Sequence, residues 1–214
     1  MLNEAIILMG TAAIIGILHT LMGPDHYLPF IAISKARNWT QKKTALITFI
    51  CGIGHVASSV VLGFLGILLG IGVSRLEFIE ASRGELAAWL LIGFGLAYTV
   101  WGIHQVLKKK VHVHKHETDD KNITPWILFI IFVFGPCEPL IPILMYPAAK
   151  GSLWMLLPVT LVFAAATIGT MLAMVLSLST SLAKIKHSTL AKYAHPLAGF
   201  VIFISGAGIK FLGL

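Results

Sequence analysis

The stretch GPDH at residues 23–26, inside the apolar run ILHTLMGPDHYLPF (residues 17–30), indicates a membrane helix that is interrupted near its middle. Proline removes a backbone hydrogen bond, and in lipid the freed carbonyl is tolerated only where another group satisfies it. A second interruption of this kind, GPCE at residues 135–138, lies in a later apolar segment. Each Gly-Pro pair is followed directly by side chains that can bind a metal ion.

The composition places the whole chain in a membrane. Of its 214 residues, 57% are hydrophobic and 12% are charged, and the mean hydropathy of +0.88 excludes a soluble enzyme domain. Apolar segments of about 20 residues span a bilayer as helices. The sequence therefore predicts an all-α integral membrane protein with six transmembrane helices, the first and fourth broken at Gly-Pro. The predicted spans are approximately 5–34, 45–73, 86–107, 126–148, 153–182 and 190–214.

The basic residues predict how the chain is oriented. Twelve of the sixteen Lys and Arg fall in one alternating set of loops, and cytoplasmic loops retain such residues. We therefore expect a multi-pass protein of the cell (inner or plasma) membrane with both termini outside. The net charge of +7 is explained by these loops and does not indicate binding to nucleic acid.

The order of the spans predicts two halves. Residues 1–107 would form a first three-helix repeat, residues 108–124 a cytoplasmic linker that contains histidines, and residues 125–214 a second three-helix repeat. With three spans in each half, the second half enters the membrane from the opposite side, which would make an inverted repeat. Gly-Pro pairs and similarly spaced glycines recur in the same order in both halves. In an extended linker, His112, His114 and His116 would project to one side and could capture a metal ion.

The ionisable residues of the apolar segments predict a cation site. Asp25 and Glu138 are interpreted as the carboxylates that lie deep in apolar spans, and these spans contain no Lys or Arg. An unpaired buried carboxylate costs several kcal/mol, so each must be protonated, paired with a histidinium or offset by a bound cation. Imidazole and thiol groups beside them favour a transition metal over magnesium or calcium. The predicted metal ligands are His19, Asp25, His26, His55, Cys137 and Glu138.

The spacing of two of these histidines sets a condition on the site. His19 and His26 would lie about 10 Å apart along an unbroken helix, which is too far to share one ion. Only the break at Gly-Pro could bring them together. The prediction therefore requires both broken segments to unwind and face each other, with His55 supplied by the second span.

The first two spans resemble the nickel/cobalt transporter family. The sequence from His19 to His26 is similar to the H-x4-D-H signature of that family, although five residues separate His19 from Asp25 here. Gly54-His55 is similar to the Gly-His motif of the same family. The resemblance implies transport of a divalent transition-metal ion, nickel or cobalt, as substrate. No enzyme activity, catalytic residue or permanent cofactor is expected. The partners would be the metal ion, the lipid bilayer and, as open alternatives, a second copy of the chain or a metal-delivering protein.

A weaker resemblance supports an alternative. The motif GPCEP at residues 135–139 is similar to the Pro-Cys motifs of the transmembrane thiol-disulfide relay proteins of cytochrome c biogenesis. It implies an electron carrier that would use Cys51 and Cys137, although the first half has Asp25 where a relay would have its second cysteine. A carrier of a small anion is a third possibility, disfavoured by the lack of Lys or Arg deep in the predicted spans. The chain has no G-x4-G-K-[ST] nucleotide-binding motif.

Overall fold

The computed structural model describes residues 2–108, 123–183 and 192–213, and every regular element in these ranges is helical. Two short 3-10 turns are formed by Pro24–His26 and Leu153–Met155. The histidine-containing part of the predicted linker, with His112, His114 and His116, lies outside the described residues. The α-helices are α1 (Leu2–Met22), α2 (Leu28–Ala36), α3 (Gln41–Leu68), α4 (Val73–Lys108), α5 (Ile123–Phe134), α6 (Leu140–Ala149), α7 (Leu156–Ala183) and α8 (Ala194–Leu212).

The lengths of the helices agree with a multi-pass membrane protein. In the described ranges, α1, α3, α4, α7 and α8 are long and apolar enough to cross a bilayer, which gives five candidate spans. The predicted fourth span is instead two shorter apolar helices, α5 and α6. The count of six spans and the inverted repeat remain predictions.

Both predicted helix breaks are present. Helix α1 ends at Met22, and the chain passes through the 3-10 turn Pro24–His26 before α2 begins at Leu28. Helix α5 ends at Phe134, and α6 begins at Leu140. Each Gly-Pro pair therefore separates two helical pieces, as expected from the loss of the proline N–H.

Helix α4 differs from the predicted third span. It begins at Val73, whereas the sequence predicted a span from residue 86 onward. The sequence placed residues 74–85 in a loop between the second and third predicted spans. That placement is wrong, because Glu80 and Arg83 lie within the helix and the Glu80 side chain is completely buried.

The helix ends define two faces of the molecule. The link between α3 and α4 and the C-terminal end of α8 lie on what we call the first face, because Lys210 near the end of α8 pairs with Glu85 near the start of α4. The opposite, second face carries the link between α2 and α3 and the end of α4 at Lys108. The chain thus crosses from the second face to the first in α3 and returns in α4.

Helices α4 and α8 pack along each other through small residues. A Cβ atom at Gly95 would overlap the backbone of Phe203, and one at Gly199 would overlap the backbone of Thr99. Glycine at these positions lets the two backbones approach closely, as is common between membrane helices. These glycines therefore pack the interior of one chain.

Candidate metal site at the helix breaks

Three histidines from separate elements converge between the two breaks. His19 lies near the end of α1, His26 ends the first 3-10 turn and His55 lies in the middle of α3. One ring nitrogen of each is within 4.8 Å of the other two. His26 and His55 are 3% and 2% exposed, so their polar atoms are shielded from solvent. The structure thus brings together the three predicted imidazole ligands.

The first break explains why His19 and His26 meet. Their ring centroids are 4.7 Å apart, well below the distance of about 10 Å that an unbroken helix would impose. The 3-10 turn folds the His26 ring back over Gly23, so that a Cβ atom at Gly23 would lie only 2.5 Å from His26 Nδ1. The site therefore needs both the proline that ends α1 and the glycine that leaves room for the ring.

Backbone and carboxylate oxygens orient two of the rings. His26 Nδ1 lies 3.1 Å from Asp25 Oδ1 and 3.1 Å from the carbonyl oxygen of Gly23. His55 Nδ1 lies 3.4 Å from the carbonyl oxygen of Phe132. Because oxygens of this kind accept hydrogen bonds, both Nδ1 atoms carry the proton and donate it. In the neutral rings each Nε2 atom then has a free lone pair, as in metal-binding histidines that are held by a second hydrogen bond.

The two Nε2 atoms face each other. His26 Nε2 and His55 Nε2 are 3.3 Å apart, and the rings are nearly perpendicular. Two lone pairs at this distance repel unless a proton or a metal cation lies between them. Two nitrogens of a tetrahedral site with metal–nitrogen bonds of about 2.0–2.1 Å are about 3.3 Å apart. The spacing is therefore compatible with a shared metal ion.

The two cysteines have different surroundings. Cys137 is fully buried, and its Sγ lies 3.9 Å from His19 Nε2. Cys51 lies one turn from His55 on the side of the second face and belongs to another part of the core. Both thiols are free. Only Cys137 is therefore placed beside the histidines.

The two predicted carboxylates also differ. Asp25 has a side chain that is 20% exposed, and it contacts the histidine group through His26. Glu138 is exposed on the wall of a cavity and lies outside the group of three histidines, so it does not face Asp25 across one compact site as the sequence suggested. Asp25 therefore lies beside the histidine group, and Glu138 lies on the cavity wall outside that group.

A cavity of about 720 Å³ leads from the histidines toward the first face. It is lined by all three histidines and extends to Glu85 and Lys210, which form an ion pair near that face. On the opposite side, the rings of Phe30 and Phe132 pack with centroids 4.6 Å apart and are at most 5% exposed. The histidines can thus be reached from the first face, and a close-packed core separates them from the second.

The sequence analysis missed a buried ion pair beside the second break. Glu80 Oε1 and Arg83 Nη1 are 2.7 Å apart, and Glu80 is fully buried. Glu80 Oε2 accepts a hydrogen bond from the Cys137 amide at 3.3 Å, and Arg83 Nη2 donates to the Val133 carbonyl at 2.7 Å. Opposite charges three residues apart meet on one helix face, and this spacing was the signal that could have identified the pair.

Broken helices around a buried polar site define the class of this molecule, a multi-pass integral membrane protein. The family model described as "Cytochrome C biogenesis protein transmembrane region" matches residues 28–208, and the chain belongs to that family. No curated protein and no solved structure matches. The match confirms the weaker of the two resemblances and gives no support to membership of the nickel/cobalt transporter family. It includes His55 and Cys137 and begins just after the segment that contains His19 and His26.

Proposed function

We propose that this protein transports a divalent transition-metal cation, nickel or cobalt, across the membrane and binds it between the two helix breaks. The observation that carries the proposal is the convergence of His19, His26 and His55, whose ligand nitrogens lie within 4.8 Å of one another. Imidazole nitrogens favour ions of this type over magnesium and calcium. Two of the three histidines are buried and are oriented by second hydrogen bonds, which supports the binding of an ion.

The groups around the histidines complete the chemistry. Asp25 supplies negative charge next to His26 and fixes the ring so that Nε2 is the ligand atom. The sulfur of Cys137, beside His19, is a soft ligand that disfavours hard cations. Glu138 lies on the cavity wall, where its charge raises the local concentration of cations on their way to the site.

The cavity gives the proposal a direction of access. The second face carries Lys35, Arg37, Lys42 and Lys43 at the link between α2 and α3, so it is assigned to the cytoplasm and both termini to the outside. The cavity then opens to the outside. Movement of the core around Phe30 and Phe132 would be needed to expose the ion to the cytoplasm, as alternating access requires.

Transport can be measured in proteoliposomes that contain a cobalt-sensitive dye. Wild-type protein should accumulate cobalt, and His26→Ala should reduce the rate at least 10-fold because it removes a ligand. His104→Ala is the matched control, since His104 is exposed near the far end of α4 and away from the site. Equal rates of cobalt accumulation for wild type and His26→Ala would contradict the proposal.

The family match favours a second candidate, a carrier of reducing equivalents that uses cysteine thiols. It would need Cys51 and Cys137 to form a disulfide, although they lie in separate parts of the core. Alkylation of the denatured protein after oxidising and reducing treatments distinguishes the candidates. Two thiols that are labelled equally after both treatments exclude the carrier, and loss of both labels after oxidation supports it.

A further inference from the structure

The Glu80–Arg83 ion pair occupies the place of one particular backbone hydrogen bond. In a continuous helix the Cys137 amide would donate to the Val133 carbonyl four residues earlier. Here the Cys137 amide donates to Glu80 and the Val133 carbonyl accepts from Arg83, while the two side chains bind each other. The ion pair is thus inserted into the gap and satisfies both of the groups that the break separates.

The same ion pair is connected to the histidine supplied by α3. Arg83 Nη2 also donates to Ser58 Oγ at 2.6 Å, and Ser58 Oγ donates to the carbonyl of His55 at 2.8 Å. The His55 ring in turn donates to the carbonyl of Phe132, the residue before Val133. Helix α3 and the end of α5 are therefore joined twice, once through the ligand His55 and once through Arg83.

The close approach of α4 to the break has a steric cause. The ring of Pro136 lies against Gly84, where a Cβ atom would be 2.7 Å from the proline Cγ. Glycine therefore allows α4 to bring the neighbouring Arg83 up to the Val133 carbonyl. The desolvation of a buried ion pair is unfavourable by itself, and here it is offset by hydrogen bonds to backbone groups that would otherwise be unpaired.

We propose that Glu80 and Arg83 are positioning residues of the metal site, which hold the second helix break open so that His55 and Cys137 stay at the spacing that the ion requires. The inference rests on the proposed function. Neither residue is among the predicted ligands, and Glu80 approaches the site through the Cys137 amide, not through the histidine nitrogens. Their effect on the ion is exerted through the backbone of residues 133–137 and through α3.

The test uses purified full-length protein in detergent with Co²⁺ as the probe. Arg83→Lys keeps the charge but cannot reproduce the planar fork that binds Glu80, Ser58 and Val133 at once. We expect its Co²⁺ affinity to fall about 10- to 100-fold, as for other groups that orient metal ligands, with a change in the visible absorption bands of the bound ion. Glu80→Gln keeps an acceptor for the Cys137 amide, so its Co²⁺ affinity should fall less than that of Arg83→Lys. Arg75→Lys and Glu77→Gln are controls, because both residues are exposed on the same helix.

A double-mutant cycle separates positioning from general stability. If Arg83 acts through His55, Arg83→Lys should weaken Co²⁺ binding much less in a His55→Ala background than in the wild-type background. The same fold-loss in both backgrounds overturns the inference, because a general loss of stability would not depend on His55. Loss of affinity in the two control variants would also overturn it.

Hydrogen exchange supplies a readout that does not need the metal. In Arg83→Lys and Glu80→Gln, amides of the segment 134–138 should exchange faster, while those of α7 should keep their protection. Unchanged exchange at 134–138 in both variants overturns the inference. If wild type binds no Co²⁺ at all, the proposed function fails, and so does any role of the ion pair in metal binding. The hydrogen-exchange result then decides separately whether the ion pair holds the break.

Discussion

Replacing Gly23 by alanine tests whether the first break shapes the site as the structure indicates. The backbone of Gly23 has φ −90° and ψ 94°, which alanine can adopt. The added Cβ would lie 2.5 Å from His26 Nδ1 and 2.9 Å from Asp25 Oδ1. Ordinary contacts begin near 3.4 Å. The ring and the carboxylate must therefore move by about 0.5–0.9 Å to relieve the overlap.

A displacement of this size is large for a metal ligand. The His26 ring would lose its hydrogen bond to the Gly23 carbonyl or turn its Nε2 away from His55. A misplacement of about 1 Å can cost about 100-fold in function, so we expect a decrease in Co²⁺ affinity of about 10- to 100-fold. The free energy of unfolding should change little, because alanine is less flexible than glycine and this partly offsets the strain.

The affinity is measured by calorimetric titration of Co²⁺, and stability by thermal unfolding of the metal-free protein. Gly10→Ala is the matched control, because a Cβ atom at Gly10 in the preceding helix α1 would meet nothing within 4 Å. The reasoning is refuted if Gly23→Ala binds Co²⁺ like wild type. It is also refuted if Gly10→Ala loses as much affinity as Gly23→Ala.

Three further predictions concern charge, protons and packing. Asp25→Asn keeps an acceptor near His26 but removes the negative charge, so Co²⁺ transport should be abolished while expression is retained. Unchanged transport in vesicles would exclude the proposed role of the Asp25 charge. Co²⁺ affinity should fall as the pH is lowered, because protons compete with the metal for imidazole nitrogens, and a pH-independent titration would contradict histidine ligation. Gly95→Ala should lower the melting temperature, because its Cβ would overlap the backbone of Phe203, whereas Gly93→Ala, with open space around it, should not. Thermal unfolding in detergent compares the two variants, and equal melting temperatures would show that close α4–α8 packing is not needed for stability.

The sequence was informative about the first break because its signals are local. Proline in a helix interior removes a backbone hydrogen bond, so the Gly-Pro pairs at 23–24 and 135–136 predicted both interruptions. Helix geometry alone shows that His19 and His26 could share an ion only across a break. The contribution of His55 was inferred from its type and its glycine neighbours, and the structure places it with the other two.

The ion pair at Glu80 could not be recognised in the same way. Five charged residues between positions 75 and 85 make this stretch read as a loop when hydropathy is averaged. In the structure, Glu80 is buried because its charge is matched by Arg83, and both side chains then bind backbone groups of α5 and of Cys137. The spacing of three residues shows that Glu80 and Arg83 can pair, but the backbone groups that they bind lie 50 and 57 residues away, so no local pattern places the pair beside the second break. The same limit applies to Glu138, whose exposure depends on the cavity beside it.

The two breaks are stabilised by different means, and this difference has a consequence for the proposed transport. At the first break, the His26 ring binds the Gly23 carbonyl and Asp25, so the turn is closed by its own residues. At the second break, the separated amide and carbonyl are held by side chains of α4. A movement of α4 relative to α5 would therefore disturb the second break and leave the first largely intact. Because His55 is bound to the second break through Phe132, such a movement would change the distance between His55 and His26, which is the distance on which shared binding of an ion depends.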